Sequence, residues 1–143
     1  MKTMHVIYWS QTGNTAAMAQ SIAEGARNAG AEVTLLEVDA AQEADALECD
    51  LLALGCPAMG TEVLEEGEFE PFFAAVEGKL SGRRVALFGS YGWGDGQWMR
   101  DWYQRAEADG IDLYGDEGLT VNEAPDAEAL ERCRAFGAGF ASE

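Results

Sequence analysis

Three short segments concentrate the hydroxyl, glycine and aromatic residues that could handle a ligand. The first is SQTGNT, residues 10–15, in which the hydroxyls of Ser10, Thr12 and Thr15, polar amide groups and Gly13 lead straight into a helical pattern beginning near Asn14. Backbone N–H groups and the positive end of the helix dipole converge there, which is the chemistry of an anion site. The segment has no lysine or arginine, and neither GxxxxGK[ST] nor GxGxxG occurs in the chain. That argues against a nucleoside triphosphatase and a Rossmann dinucleotide fold. The terminal phosphate of a mononucleotide fits better.

The second segment is GCPAMGTEVLEEGEFEPF, residues 55–72, entered from an apolar run. Pro57 stiffens the approach, Met59 offers a flexible thioether, and Gly60 tolerates either sign of φ, so a peptide bond there could flip. The third is GSYGWGDGQW, residues 89–98, where four glycines and Ser90 let backbone approach a ligand closely while Tyr91 and Trp93 present flat faces. A phosphate cradle, a Met-Gly turn and an aromatic-glycine loop together describe a site for a long, flat, phosphorylated aromatic such as FMN.

Short apolar runs at 5–9, 33–38, 51–54 and 85–88, with a broken run over 111–121, predict five strands that would hold these segments. Between them lie segments of helical period. Met18, Ile22, Ala26 and Ala29 share one face of the first, Phe69, Phe72, Phe73, Val76 and Leu80 make a stripe, Trp98, Met99, Trp102 and Ala106 face inward, and Leu130, Cys133, Gly137 and Phe140 complete the last. Residues 40–48, rich in alanine and acids, favour a short helix. Alternating strands and helices imply right-handed β-α-β units and a doubly wound five-stranded parallel sheet in one α/β domain over residues 1–143. In such sheets ligands bind beyond the carboxyl ends of the strands, where all three segments would lie.

The chain has 143 residues, 48% of them hydrophobic, enough for a core of its own. No apolar run is long enough to span a bilayer and the N-terminus lacks signal-peptide features, so a cytoplasmic protein is expected. Cys49, Cys56 and Cys133 lack C-x-x-C or zinc-ligand spacing and read as reduced thiols, and no metal site is expected. The single histidine, His5, sits in an apolar run as a packing residue. Twenty-six acids against nine basic residues give a net charge of −17, which disfavours nucleic acid and anionic membrane as partners. Between Arg27 and Lys79 thirteen acids occur with no lysine or arginine, among them Glu62, Glu65, Glu66, Glu68 and Glu70.

With these motifs the chain resembles a short-chain, clostridial-type flavodoxin, from VIYWSQTGNT through LGCPAMGTEVLEEGEFEPF and VALFGSYGWGDGQWMRDW to the last helix. The resemblance implies strand order 2-1-3-4-5 with helices on both faces, and a low-potential one-electron carrier that binds FMN non-covalently and cycles mainly between semiquinone and hydroquinone. It is implied to be not an enzyme but a monomer serving basic-surfaced, ferredoxin-type donors and acceptors at its acidic face. By the same resemblance Ser10, Thr12, Asn14 and Thr15 would hold the phosphate, with Gln11 and Gly13 adding backbone N–H groups. Met59 and Trp93 would cover the two faces of the isoalloxazine, and the Gly60-Thr61 peptide would turn toward N5. Glu62 would bind N3, Ser90, Tyr91 and Gly92 would add polar contacts, and Pro57 and Ala58 would complete the second loop. Pro57 replaces a serine usual in the family and Thr61 an aspartate, which removes a phosphate hydrogen bond and a charge near the flavin.

Other functions with this topology fit less well. A phosphoacceptor receiver needs acids after the first strand and an aspartate ending the third, where Trp9-Ser10 and Gly55-Cys56 stand. A small phosphatase needs a cysteine in the first loop. An NAD(P)H-dependent FMN or quinone reductase on the same fold is the serious rival, and it would need an open flavin face. A flavin-free acidic interaction module would take up no FMN.

Overall fold

The computed structural model describes residues 2–60 and 62–142. Strands β1 (Thr3–Tyr8), β2 (Glu32–Glu37), β3 (Leu51–Gly55) and β4 (Arg84–Tyr91) form a parallel sheet in the order β2-β1-β3-β4, and the fifth lane lies beyond β4. β3 is buried along its whole length and β4 at all but its ends, as parallel strands covered on both faces must be. β2, at the edge, keeps Val33 inside while Glu32 and Glu37 face water.

Alternation along the central strands sorts their side chains into two cores. Met4, Val6, Leu51, Ala53, Ala86 and Phe88 pack beneath α1 (Asn14–Asn28) and α5 (Ala127–Ala141). Ile7, Leu52, Leu54, Val85 and Leu87 pack beneath the short α2 (Glu43–Leu47), α3 (Phe69–Val76) and α4 (Gln97–Ala108). The Phe69, Phe73, Val76 stripe and Leu80 are fully buried, as are Trp98, Met99, Trp102 and Ala106 to within 2%. Among the described residues no helix is long and apolar enough to cross a membrane.

Five details depart from the periodicity. The fifth lane is two fragments, β5 (Asp112–Leu113) beside Arg84 and Val85 and β6 (Leu119–Asn122) beside Phe88 to Tyr91, because Gly115, at φ 81°, turns the chain out of line between them. Residues 40–48 split into a 3-10 turn ending at Ala40 and α2, whose start is closed by a capping box between Gln42 and Asp45. Ala29 is exposed, since α1 has already ended at Asn28. Phe72 and Leu130 are only half-buried; in α5, Ala129 takes the inward position. His5 is also half-buried, with Nδ1 2.6 Å from the Asp45 carbonyl.

α1 and α5 lie against each other through two glycines. A Cβ on Gly25 would stand 1.9 Å from the Arg134 carbonyl oxygen, and one on Gly137 would stand 2.0 Å from that of Ile22. Both obstacles are backbone and neither can rotate away. Gly137→Ala should therefore destabilise the fold by about 1–3 kcal/mol, read as a lower urea midpoint at unchanged slope. In an open helical position the same change would stabilise by about 0.4–1 kcal/mol, so the sign of the shift decides whether the close crossing is real.

Candidate functional site

The loop leaving β1 rises to Trp9, whose N–H donates to the Gly55 carbonyl at 3.0 Å and whose indole donates to Glu68 at 3.0 Å. Gly13, at φ 95°, turns the chain into α1 as its N-cap without any side-chain cap. Ser10 Oγ accepts the Ala16 N–H at 3.2 Å, and no acid stands in the first turn. α5 differs: the Asp126 carboxylate caps it by accepting from Ala129 at 2.8 Å. The first acid of the chain is Glu24, so the start of α1 is a set of donors and hydroxyls with no carboxylate of its own loop competing for them.

Beyond the sheet, β3 and β4 stay paired. Cys56 N–H donates to Phe88 O at 3.1 Å and Ala58 N–H to Ser90 O at 2.9 Å. Gly89 permits this, since a Cβ there would lie 2.1 Å from the Cys56 carbonyl oxygen. Trp98, 1% exposed, donates its indole N–H to that same carbonyl at 3.1 Å, and its ring supports Tyr91 at 5.5 Å between centroids. The first loop is tied in by Thr15, whose buried hydroxyl lies 2.8 Å from that of Ser90. Cys56 is fully buried and accepts the Glu65 N–H, and burial pushes its thiol up to about 12, which leaves it a packing group.

These contacts close a cleft of about 240 Å³ at the carboxyl ends of β1, β3 and β4. It brings together Ser10, Gln11, Thr12, Asn14 and Thr15 of the first loop, Pro57, Ala58 and Met59 of the second, and Ser90, Tyr91 and Gly92 of the third. Gly13 stands behind it as the helix cap. Met59 pairs with Val63 across a short turn through N–H to carbonyl contacts of 2.9 and 3.3 Å, with exposed Gly60 outside the left-handed region and Glu62 in it at φ 57°. Thr61 lies outside the described residues. Four expected contacts among the described residues do not line the cleft: Gly13, Gly60, Glu62 and Trp93. The Glu62 carboxylate turns toward Gly94, where an added Cβ would be 2.6 Å from Oε1, and Trp93 stands on the rim, 68% exposed.

Trp9 and Glu123 also line the cleft and were not foreseen as site residues. Trp9 directly follows the first strand, so its position was the available signal. Glu123 follows β6, at φ 59°, and its N–H donates to Tyr91 O at 2.6 Å while Asn122 holds the carbonyls of Tyr91 and Gly92 at 3.3 and 3.2 Å. A larger groove of about 480 Å³ lies between α4 and residues 116–120, but it contains neither the start of α1 nor the β3–β4 extension.

The model of the Flavodoxin family matches residues 6–137. The chain belongs to the flavodoxin family. It is 48% identical over 139 residues to the flavodoxin of Clostridium beijerinckii, covering 97% of this chain and 99% of that protein. It is 46% identical over 123 residues to that of Megasphaera elsdenii, covering 86% and 88%. The solution structure of two-electron reduced Megasphaera elsdenii flavodoxin superposes with a TM-score of 0.89 at 44% identity, over 98% of this chain and 99% of that one. As a flavodoxin the chain is an FMN-binding electron carrier, and these relatives do not favour the reductase alternative. The cleft fits that cofactor by the chemistry of its lining: hydroxyls beside a helix start with no acid in its first turn, together with the Met59 thioether and the rings of Trp9 and Tyr91.

Glu65 secures the route from the Met59 turn into α3. Its carboxylate accepts from the N–H groups of Gly67, Glu68 and Phe69 at 2.7, 2.8 and 2.8 Å. Partial burial pushes the carboxyl up, but the three donors outweigh it and hold it below its ordinary value of 4.5. A carboxyl depressed on folding stabilises fully above its unfolded value and loses that contribution as pH falls through the folded one. Glu65→Ala should cost about 1 kcal/mol at pH 7, and the gap to wild type, measured by urea denaturation from pH 7 to 3, should close as pH drops below 4.5.

Proposed function

We propose that this flavodoxin works as a low-potential, one-electron shuttle, not a hydride-transferring enzyme, with FMN held in the cleft between the three loops. The observation that carries the reading is the carboxylate-free start of α1, locked by the Thr15–Ser90 contact to the loop that bears Tyr91 and Trp93. Ser10, Thr12, Asn14 and Thr15, with backbone N–H groups of Gln11 and Gly13, would hold the phosphate. Met59 in the cleft and Trp93 on its rim would offer apolar faces to the ring system, and Ala58, Ser90, Tyr91 and Gly92 would border it. Glu62 would reach it only by leaving its place against Gly94.

FMN, when bound, supplies one-electron oxidation and reduction at potentials set by the surrounding protein. The protein's part is to position it, cover its faces and weight the field around it. Each carboxylate about 10 Å from added negative charge opposes that charge by about 0.4 kcal/mol at water-like dielectric, near 20 mV, before salt screening. A net charge of −17 therefore lowers the potential of the more reduced couple and draws basic-surfaced redox partners to the molecule. Three buried, unpaired thiols support work in the cytoplasm, and we propose a monomer there.

Potentiometric titration of the FMN-loaded protein, followed by visible absorbance, should resolve two separate one-electron midpoints, and NAD(P)H alone should leave the flavin oxidised. Rapid bleaching by NAD(P)H would overturn the shuttle reading. Trp93→Ala should raise the FMN dissociation constant about 2- to 13-fold and shift the lower midpoint. Fluorescence titration and potentials matching wild type would remove the covering role given to Trp93.

A further inference from the structure

Trp93 stands on the rim of the cleft at 68% exposure, so burial cannot hold its ring in place. It also sits in loose backbone, between Gly92 and Gly94, with Gly94 at φ 88° and Gly96 at φ 92° in the region that glycine enters without steric cost. A large side chain on such a chain sweeps a wide arc unless the backbone on either side of it is fixed. Here both sides are fixed.

On the upstream side, β4 ends at Tyr91, and the carbonyls of Tyr91 and Gly92 both accept from Asn122 Nδ2, at 3.3 and 3.2 Å. The Glu123 N–H donates to the same Tyr91 carbonyl at 2.6 Å. Only the nitrogen end of the Asn122 amide can serve two carbonyls, since Oδ1 is an acceptor. On the downstream side, Arg100 reaches back from the first turn of α4. Its Nη1 donates to the Asp95 carbonyl at 3.0 Å, and its Nη2 donates to Asp95 Oδ1 and Gln97 Oε1, each at 2.9 Å. The two side chains are 48% and 80% exposed, so their charges alone contribute little. The fork matters more, because one guanidinium ties both the carbonyl and the carboxylate of Asp95 to the helix. Between the anchored residues Gly92 and Asp95 only Trp93 and Gly94 remain.

We propose that Asn122 and Arg100 are positioning residues for Trp93, which by pinning Gly92 and Asp95 set the place of its ring before any cofactor arrives. The ring is then placed through its own backbone, from the end of β6 on one side and from α4 on the other. Its open face stays free while its position does not. What the ring does to FMN rests on the function proposed above, whereas the brace itself does not.

Asn122→Ala deletes the amide donor, and Arg100→Lys keeps the charge but loses the fork. Both residues are exposed, so the variants keep the fold. In the FMN-free protein, the backbone order parameters of Trp93 and Gly94 from ¹⁵N relaxation should drop from about 0.85 towards about 0.6 in each variant, while that of Thr15 keeps its wild-type value. Unchanged order at Trp93 in either variant overturns the two-sided brace. This arm needs no FMN, so it decides the brace even if the proposed function fails. In the FMN-loaded protein, Asn122→Ala should raise the FMN dissociation constant about 3- to 10-fold, no more than Trp93→Ala does, and less than twofold when Trp93→Ala is already present. Neither variant changes the net charge, so a shift of the lower midpoint reports the seating of the ring, and it should run in the same direction as that of Trp93→Ala. Equal losses in both backgrounds, or binding and midpoint matching wild type, would overturn the positioning role. If Trp93→Ala itself changes neither, the covering role falls and the brace is judged by the order parameters alone.

Discussion

Two backbones can run on side by side past the end of a sheet only where no side chain wedges them apart. At Gly89 that condition is met, because the space a Cβ would take is filled by the Cys56 carbonyl oxygen. Everything at the cleft depends on this approach. It lets Cys56 and Ala58 continue the β3–β4 ladder, brings the Ser90 hydroxyl to Thr15, and leaves the Cys56 carbonyl where Trp98 can donate to it. Loops that would otherwise move separately become one rigid rim, with α1 attached at one side and α4 at the other.

Much of this was legible in the sequence because it is written in periodicity and local chemistry. Fully apolar runs announced β3 and β4, spacing of three and four announced the buried stripes on α3 and α4, and the hydroxyl- and glycine-rich loop announced the start of α1. What escaped depends on contacts between distant segments. Nothing local to Glu123 shows that it will fold back onto Tyr91, and Trp9 reads as the last residue of a strand as easily as the first residue of a site. The gap in the fifth lane follows from the turn at Gly115, and the inward-facing Oε1 of half-buried Glu62 goes with a left-handed backbone on a non-glycine residue.

The acidic run also reads differently once folded. Of the five acids at positions 62 to 70, Glu65 caps the start of α3, Glu68 accepts from Trp9, Glu70 binds Arg105, and Glu62 is turned inward. Glu66 remains exposed. Most of these carboxylates thus also hold local geometry, but only Glu70 meets a cation, so the stretch keeps most of its negative charge and adds to the field of the whole chain. Arg105 shows the same economy: one guanidinium joins α4 to Glu70 and Glu77, rests over the Phe73 ring at 4.9 Å, and is held in its charged form by the two carboxylates.

The broken fifth lane has a consequence for the molecule in a crowd. A parallel sheet exposes free N–H and carbonyl groups along its outermost strand, and such a row invites another chain to add itself. Here that border is two residues, a glycine-flanked excursion, and four more residues. Neither fragment offers a template long enough to recruit a strand from a neighbour, and the opposite border, β2, carries outward-facing Glu32 and Glu37. The sheet ends in pieces, and that discontinuity leaves this border without a long row of free N–H and carbonyl groups.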